Sequence, residues 1–131
     1  MTAEGERGLL DTSVFIAQES GRSLGQLPAR AAISVATLAE LYLGVLMADD
    51  PVIRTQRLRT FSSVEALFQP LPIDAEVART FAELVAEARR QGRHPKLMDT
   101  WIAATAVAND LPVYTQDADF AAIPRVRVVD V

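Results

Sequence analysis

The chain has no cysteine. That excludes disulfides and every metal site that needs a thiolate. It has one histidine, His94, so any bound metal must be held by oxygens or by that single imidazole. A lone histidine lacks the partners that a metal or acid–base site requires, and His94-Pro95 reads as part of a loop. The opening Met-Thr-Ala-Glu-Gly-Glu-Arg lacks the basic region and apolar run of a signal peptide. No apolar run approaches the roughly 20 residues that span a bilayer. The expectation is a soluble, cytoplasmic protein with no membrane partner. Positive charge is also in short supply, with 13 Lys and Arg against 17 Asp and Glu and a net charge of −4. Taken as a sum, that argues against non-specific nucleic-acid binding, which needs cations against phosphate. Distribution qualifies the sum. Arg54, Arg57 and Arg59 form one basic group, and Arg89, Arg90, Arg93 and Lys96 form another. Each group is either a solvated helix face or the flank of an acidic site.

What is present is enough for one domain with a real core: 131 residues, half of them apolar. Residues 1–7 read as a polar tail and residues 8–131 as the folded unit. Leu9-Leu10 reads as the end of a buried first strand over residues 8–11. A short helix follows over residues 13–20, capped by Thr12 or Ser13 and ended by Gly21. Residues 31–34 form a second strand. The next helix, residues 35–48, is apolar nearly all round and carries one charge, Glu40. Such a pattern predicts a largely buried helix. Asp50 and Pro51 start a third helix, and Asp74 caps a clearly amphipathic fourth that ends near Gly92. Pro70 to Ile73 is a brief extended segment. A helix beginning near residues 96–98 carries Asp99 in its first turn. Residues 111–115 form a strand, residues 116–120 a loop, and residues 125–131 a final strand. Strands alternating with helices predict an α/β fold with a mainly parallel sheet.

Four acids stand out by where they fall. Asp11 ends the first strand, Glu40 is alone on an apolar helix, Asp99 opens a helix, and Asp117 follows a late strand with Asp119 close behind. In open α/β sheets, ligands bind at the carboxyl ends of the strands. Parallel strands would bring Asp11 and Asp117 to that same edge. Each acid also has a plain explanation of its own. Asp11 can be a helix cap, Asp99 an ordinary first-turn acid, Asp117 and Asp119 turn residues, and Glu40 one half of an ion pair. Together those explanations weaken, because two unit charges about 4 Å apart repel by roughly 4 kcal/mol at an effective dielectric near 20. A shared divalent cation relieves such a cluster. With oxygen ligands only, Mg²⁺ or Mn²⁺ is the natural ion, and such a site suits phosphoester hydrolysis.

The stretches Leu10-Asp11-Thr12-Ser13, Thr37-Leu38-Ala39-Glu40-Leu41, Asp99-Thr100-Trp101-Ile102-Ala103-Ala104 and Thr115-Gln116-Asp117-Ala118-Asp119-Phe120 resemble the PIN-domain nucleases. Within them the chain looks most like the VapC toxins of bacterial toxin–antitoxin systems. The resemblance covers residues 8–131. No one motif is very specific, but four in this order and spacing make a strong case. The resemblance implies a three-layer α/β/α fold with a parallel sheet, a homodimer, and an endoribonuclease dependent on Mg²⁺ or Mn²⁺. It places the family's four acids on Asp11, Glu40, Asp99 and Asp117. Asp119 is able to share the fourth role, and Thr115 falls where a hydroxyl supports the pocket. It also implies a VapB-type antitoxin as partner and a transfer RNA or ribosomal RNA loop as target.

On this reading Asp11 and Asp99 hold the principal metal, with Asp117 or Asp119 completing the site. Glu40 either binds a second ion or orients and deprotonates the attacking water. Two rival functions have the same fold class. A receiver-like module binds Mg²⁺ and phosphorylates an aspartate, but it wants a lysine at the end of a late strand. Here Thr115-Gln116-Asp117 occupies that edge, and the only lysine is Lys96. A catalytically silent PIN-like interaction module is the other rival, and the intact acids argue against it. Trp101, two residues after Asp99, reads as core, with base stacking as its lesser alternative.

Overall fold

The computed structural model describes residues 6–131, so the first five residues of the polar tail lie outside the described residues. Arg7, assigned to that tail from sequence, already belongs to the first strand, β1 (Arg7–Leu10). Helix α1 (Thr12–Ser20) follows after a single residue. Next come β2 (Arg30–Ala32), α2 (Val35–Met47), α3 (Pro51–Leu67), α4 (Ala75–Arg90) and α5 (Leu97–Ala108). The chain closes with β3 (Val113–Thr115), a 3-10 helix (Ala118–Ala122) and β4 (Val128–Asp130).

The four strands lie in the order β2-β1-β3-β4, and each neighbouring pair is parallel. The chain leaves β1 for β2 on one side and returns to β3 on the other. The order therefore reverses between β1 and β3, which makes the crevice at their carboxyl ends the natural ligand position. Leu9 and Leu10 show how the layers form. Successive strand residues point to opposite faces. Leu9 packs with Val77, Leu84, Ile102 and Val113 in one apolar cluster. Leu10 packs with Val14, Phe15, Leu41, Val64 and Tyr114 in the other. Helices thus cover both faces, as a parallel sheet requires, and the fold is the expected α/β/α sandwich. Gly8 is fixed by the same packing, since a Cβ there would collide with the Tyr114 ring.

Helix boundaries follow their caps. Asp50 and Asp74 accept from Val52 N at 2.8 Å and Val77 N at 3.0 Å, as read from sequence. Gly21, at φ 73°, ends α1 in the left-handed conformation that glycine takes most easily. Two expectations need correction. The cap of α1 is neither Thr12 nor Ser13 but Asp11, whose Oδ2 accepts from Ser13 N at 3.3 Å. Helix α2 is not largely buried. Ala36, Thr37, Leu41 and Val45 form its buried stripe, while Tyr42, Leu43, Leu46 and Met47 are exposed. Periodicity reports how much apolar surface a helix carries, not how much of it the rest of the chain covers. The loop expected over residues 116–120 is partly the 3-10 helix. The extended segment before Asp74 is held to the sheet through a parallel bridge between Ser34 and Leu71.

Candidate metal centre

Asp11 is the first residue past β1, and only 3% of its surface is exposed. Its backbone N–H donates to Tyr114 O at 3.0 Å, continuing the β1–β3 ladder to the carboxylate itself. The side chain is then held from two sides. Ser13 N donates to Oδ2, and the fully buried Thr115 hydroxyl donates to the same oxygen at 2.8 Å. A hydroxyl has one proton. Because Thr115 gives its proton to the carboxylate, the 3.2 Å contact between Ser13 and Thr115 is a donation from Ser13. Ser13 Oγ in turn accepts from Gln116 N at 2.9 Å, and Thr115 Oγ1 accepts from Asp117 N at 2.8 Å. A directed chain thus runs from the loop after β3, through two hydroxyls, into Asp11. Thr115 was read from sequence as a supporting residue. Ser13 was read only as a cap, and no spacing rule marks its contact with Gln116, 103 positions away.

Glu40 comes from α2 and is half-buried. Its Oε1 accepts from the Thr12 hydroxyl at 2.6 Å. Its pKa is raised, first by burial and then by the charges of Asp11 and Asp117, while the Thr12 bond and Lys96 work the other way. Thr12, like Ser13, thus serves an acid rather than the helix end. Asp99 lies in the first turn of α5, where the helix dipole favours an anion. Even so, its carboxyl is pushed up to about 7, by burial first and then by Asp117, Asp11 and Glu40. Its Oδ2 is buried and has no hydrogen-bond partner, alone among the described buried side-chain polar atoms. A buried carboxylate oxygen without a partner is rare and costly.

Asp117 caps the 3-10 helix through Asp119 N at 2.8 Å. Asp99, Asp117 and Asp119 each offer an oxygen, and the three oxygens lie within 4.8 Å of one another. Asp119 is exposed and pairs with Lys96 Nζ at 2.9 Å. That contact, first of all, holds the lysine's pKa up. The structure therefore gathers Asp11, Glu40, Asp99 and Asp117 at one edge of the sheet, with Asp119 on the rim. The donor set is all oxygen and strongly anionic, and it includes an orphaned buried oxygen, which fits a hard divalent cation. Beside it a pocket of 210 Å³ is lined by Thr12, Ile16, Glu19, Glu40, Leu41, Gly44 and Arg57. His94 is exposed in its loop. Trp101 is half-buried and stacks on Phe81, with ring centroids 3.7 Å apart at 8°.

The family model described as PIN domain matches residues 8–126. Ribonuclease VapC5 of Mycobacterium tuberculosis is 49% identical over 126 residues, which cover 95% of this chain and 93% of that one. Ribonuclease VapC4 of the same organism is 43% identical over 95% of this chain and 97% of its own. Among solved structures, VapBC-5 from Mycobacterium tuberculosis, a member of the VapBC family of toxin–antitoxin systems, aligns with a TM-score of 0.82. It is 45% identical and covers 95% of this chain and 97% of that one. The strand order, the edge on which the acids meet and these likenesses agree: the chain belongs to the PIN-domain family and, within it, to the VapC type.

Proposed function

We propose that this protein is a magnesium-dependent endoribonuclease and the toxin of a type II toxin–antitoxin pair, cutting RNA to 5′-phosphate and 3′-hydroxyl ends. One observation carries the reading. Asp99 has a buried, partnerless oxygen and a carboxyl pushed up to about 7 among Asp11, Glu40 and Asp117. Such an arrangement is unfavourable for the fold and favourable for a cation. Asp99 and Asp117 would hold the ion, with Asp11 on the sheet side and Asp119 on the rim completing the oxygen set. Bound Mg²⁺, or Mn²⁺ in its place, supplies Lewis acidity toward a phosphate oxygen and eases the ionisation of water.

The chain's own groups do the positioning. Thr115 and Ser13 N fix Asp11 from behind. Thr12 fixes Oε1 of Glu40, leaving Oε2 to orient the attacking water and take its proton. Attack in line at phosphorus breaks the bond to the 3′ oxygen, which leaves with the electron pair and is protonated. Because phosphate stays on the 5′ side, no 2′-hydroxyl takes part. The relatives' names support an RNA substrate. The toxin–antitoxin family of the VapBC-5 structure supports a VapB-type antitoxin partner. A homodimer and a structured transfer or ribosomal RNA target follow from the family resemblance. Among the described residues no helix is long and apolar enough to cross a membrane.

The test is to incubate the purified chain with total RNA in Mg²⁺, in EDTA, and in EDTA followed by excess Mg²⁺, and to map the ends. Cleavage should stop with EDTA, return with Mg²⁺ and leave 5′-phosphates. Asp11→Asn and Asp99→Asn should each lower it at least about 100-fold, the scale on which loss of a charge-stabilising group acts. Cyclic 2′,3′-phosphate products, or full magnesium-dependent activity in either variant, would overturn the reading.

A further inference from the structure

The chain's single lysine stands at the mouth of the acidic cluster. Lys96 is the N-cap of α5, but it makes no side-chain cap hydrogen bond. Its backbone is fixed, because Lys96 O accepts from Thr100 N at 3.0 Å and from Thr100 Oγ1 at 2.8 Å. From that anchored position the side chain reaches the 3-10 helix, and Nζ meets Asp119 Oδ2 at 2.9 Å. Asp119 is also one of the three carboxylates whose oxygens converge within 4.8 Å. The positive charge of Lys96 acts on both Asp99 and Glu40. With 71% of its side chain exposed, the lysine is not needed for packing. An exposed ion pair of this kind adds little to stability.

We propose that Lys96 is a tethered cation that competes with the divalent ion for the Asp119 carboxylate and thereby sets the cluster's affinity for metal. The inference rests on the metal-dependent reading above. It assigns Lys96 a positioning role and no part in bond breaking. An ammonium held on one ligand costs the incoming ion in two ways. The ion pair must open before Asp119 can turn to the metal, and a positive charge repels a dication over a few ångströms. Both effects have the same sign. A purely structural Lys96, one that held the loop after β3 in place, would have the opposite effect, since removing it would loosen the ligands.

The experiment is calorimetric titration of chelator-treated, purified full-length chain with Mn²⁺ at low ionic strength. Lys96→Met, which keeps the stem and removes the charge, should bind Mn²⁺ about three- to tenfold more tightly than the wild type. Lys96→Arg, which keeps the charge and the pairing, should stay within about twofold of the wild type. In an Asp119→Asn background, Lys96→Met should change affinity by less than half as much on a logarithmic scale, because the carboxylate contested by the two cations is gone. Equal or weaker Mn²⁺ binding by Lys96→Met overturns the inference, as does an undiminished effect in the Asp119→Asn background. If the wild type itself binds no Mn²⁺, the metal-dependent reading falls and the role of Lys96 falls with it. Wild-type binding with the wrong sign for Lys96→Met removes the inference alone.

Discussion

Asp99 concentrates the cost of this site in one residue. Its carboxyl ionises near 7 in the folded chain against 3.8 for the ordinary side chain. Between those values the unfolded chain has lost the proton and the folded chain keeps it. Stability without metal therefore falls as pH rises from about 4 to about 7, then levels off. A three-unit shift corresponds to about 4 kcal/mol, and the open side of the cluster lets water screen roughly half of that. Asp99→Asn should accordingly stabilise the metal-free chain by about 2 kcal/mol at pH 8, an increase in Tm of at least about 5 °C. Below about pH 4, where the folded and unfolded chains both keep the proton, it should do almost nothing. Saturating Mg²⁺ should narrow the gap at pH 8 by stabilising the wild type alone. Thermal melts of the two proteins across pH, with and without chelator, give the difference directly, and a difference independent of pH would contradict it. At this scale the acids were visible in sequence because each is out of place: a carboxylate after a buried strand, another on an apolar helix, a third opening a helix of alanines. The Lys96 contact was not visible. It joins two loop-side positions 23 residues apart (119 − 96), and nothing in either stretch encodes the approach.

One element boundary does two things at once. Asp11 ends β1 and caps α1, so the direction of its carboxylate is set by the start of the helix and by β3 together. Removing the Ser13 hydroxyl leaves Gln116 N–H without its acceptor and takes from Thr115 Oγ1 one of its two donors, the other being Asp117 N. Thr115→Val removes more, since Asp11 loses a donor and Asp117 N–H loses an acceptor. Unpaired groups of this kind cost about 1–3 kcal/mol each. Ser13→Ala should destabilise by about 1 kcal/mol and Thr115→Val by about 2 kcal/mol. Only Thr115→Val should also weaken Mn²⁺ binding by about tenfold or more, because it frees Asp11 and the Asp117 loop together. Urea denaturation and metal titration of the same preparations separate the two effects. Unchanged metal affinity in Thr115→Val would show that the hydroxyl chain is structural only. The elements themselves were largely legible, because Asp50, Asp74, Gly21 and the alternation of strands with helices are local signals. The cap of α1 was misread because Asp, Thr and Ser all cap helices. Only the contacts to Glu40 and Thr115 show that both hydroxyls are engaged elsewhere.

Over the whole molecule the puzzle is charge. An acidic chain with an acidic site must still hold a polyanion, so the cations near the cluster carry unusual weight. The parallel sheet was legible in the alternation of strands with helices, and the layer order was implied by the family resemblance. Which basic side chains would face the site was not legible. The first group lies on α3, while the second runs from the end of α4 through the following loop to Lys96 at the cluster's rim, and the reach of each depends on packing. Helix α3 lies along α2 and brings Arg57 into the pocket that Thr12 and Glu40 also line. Its Nη1 donates to Gly44 O at 2.8 Å, which uses one of five guanidinium N–H donors and leaves the others for phosphate. Arg90, from the other basic group, lines a separate depression with Glu83, Glu87 and Arg125 that contains none of the clustered acids. If RNA reaches the site across the α2–α3 pocket, Arg57→Gln should raise KM for RNA about three- to tenfold and leave kcat within about twofold. It should also lower the salt dependence of binding by about one phosphate contact. Arg90→Gln should change neither quantity. Cleavage kinetics over a series of salt concentrations, with folding checked by circular dichroism, read all of this at once. Equal effects from the two arginines would mean that RNA is held by the general field of the protein. An effect from Arg90 alone would move the approach path to the face formed by α4.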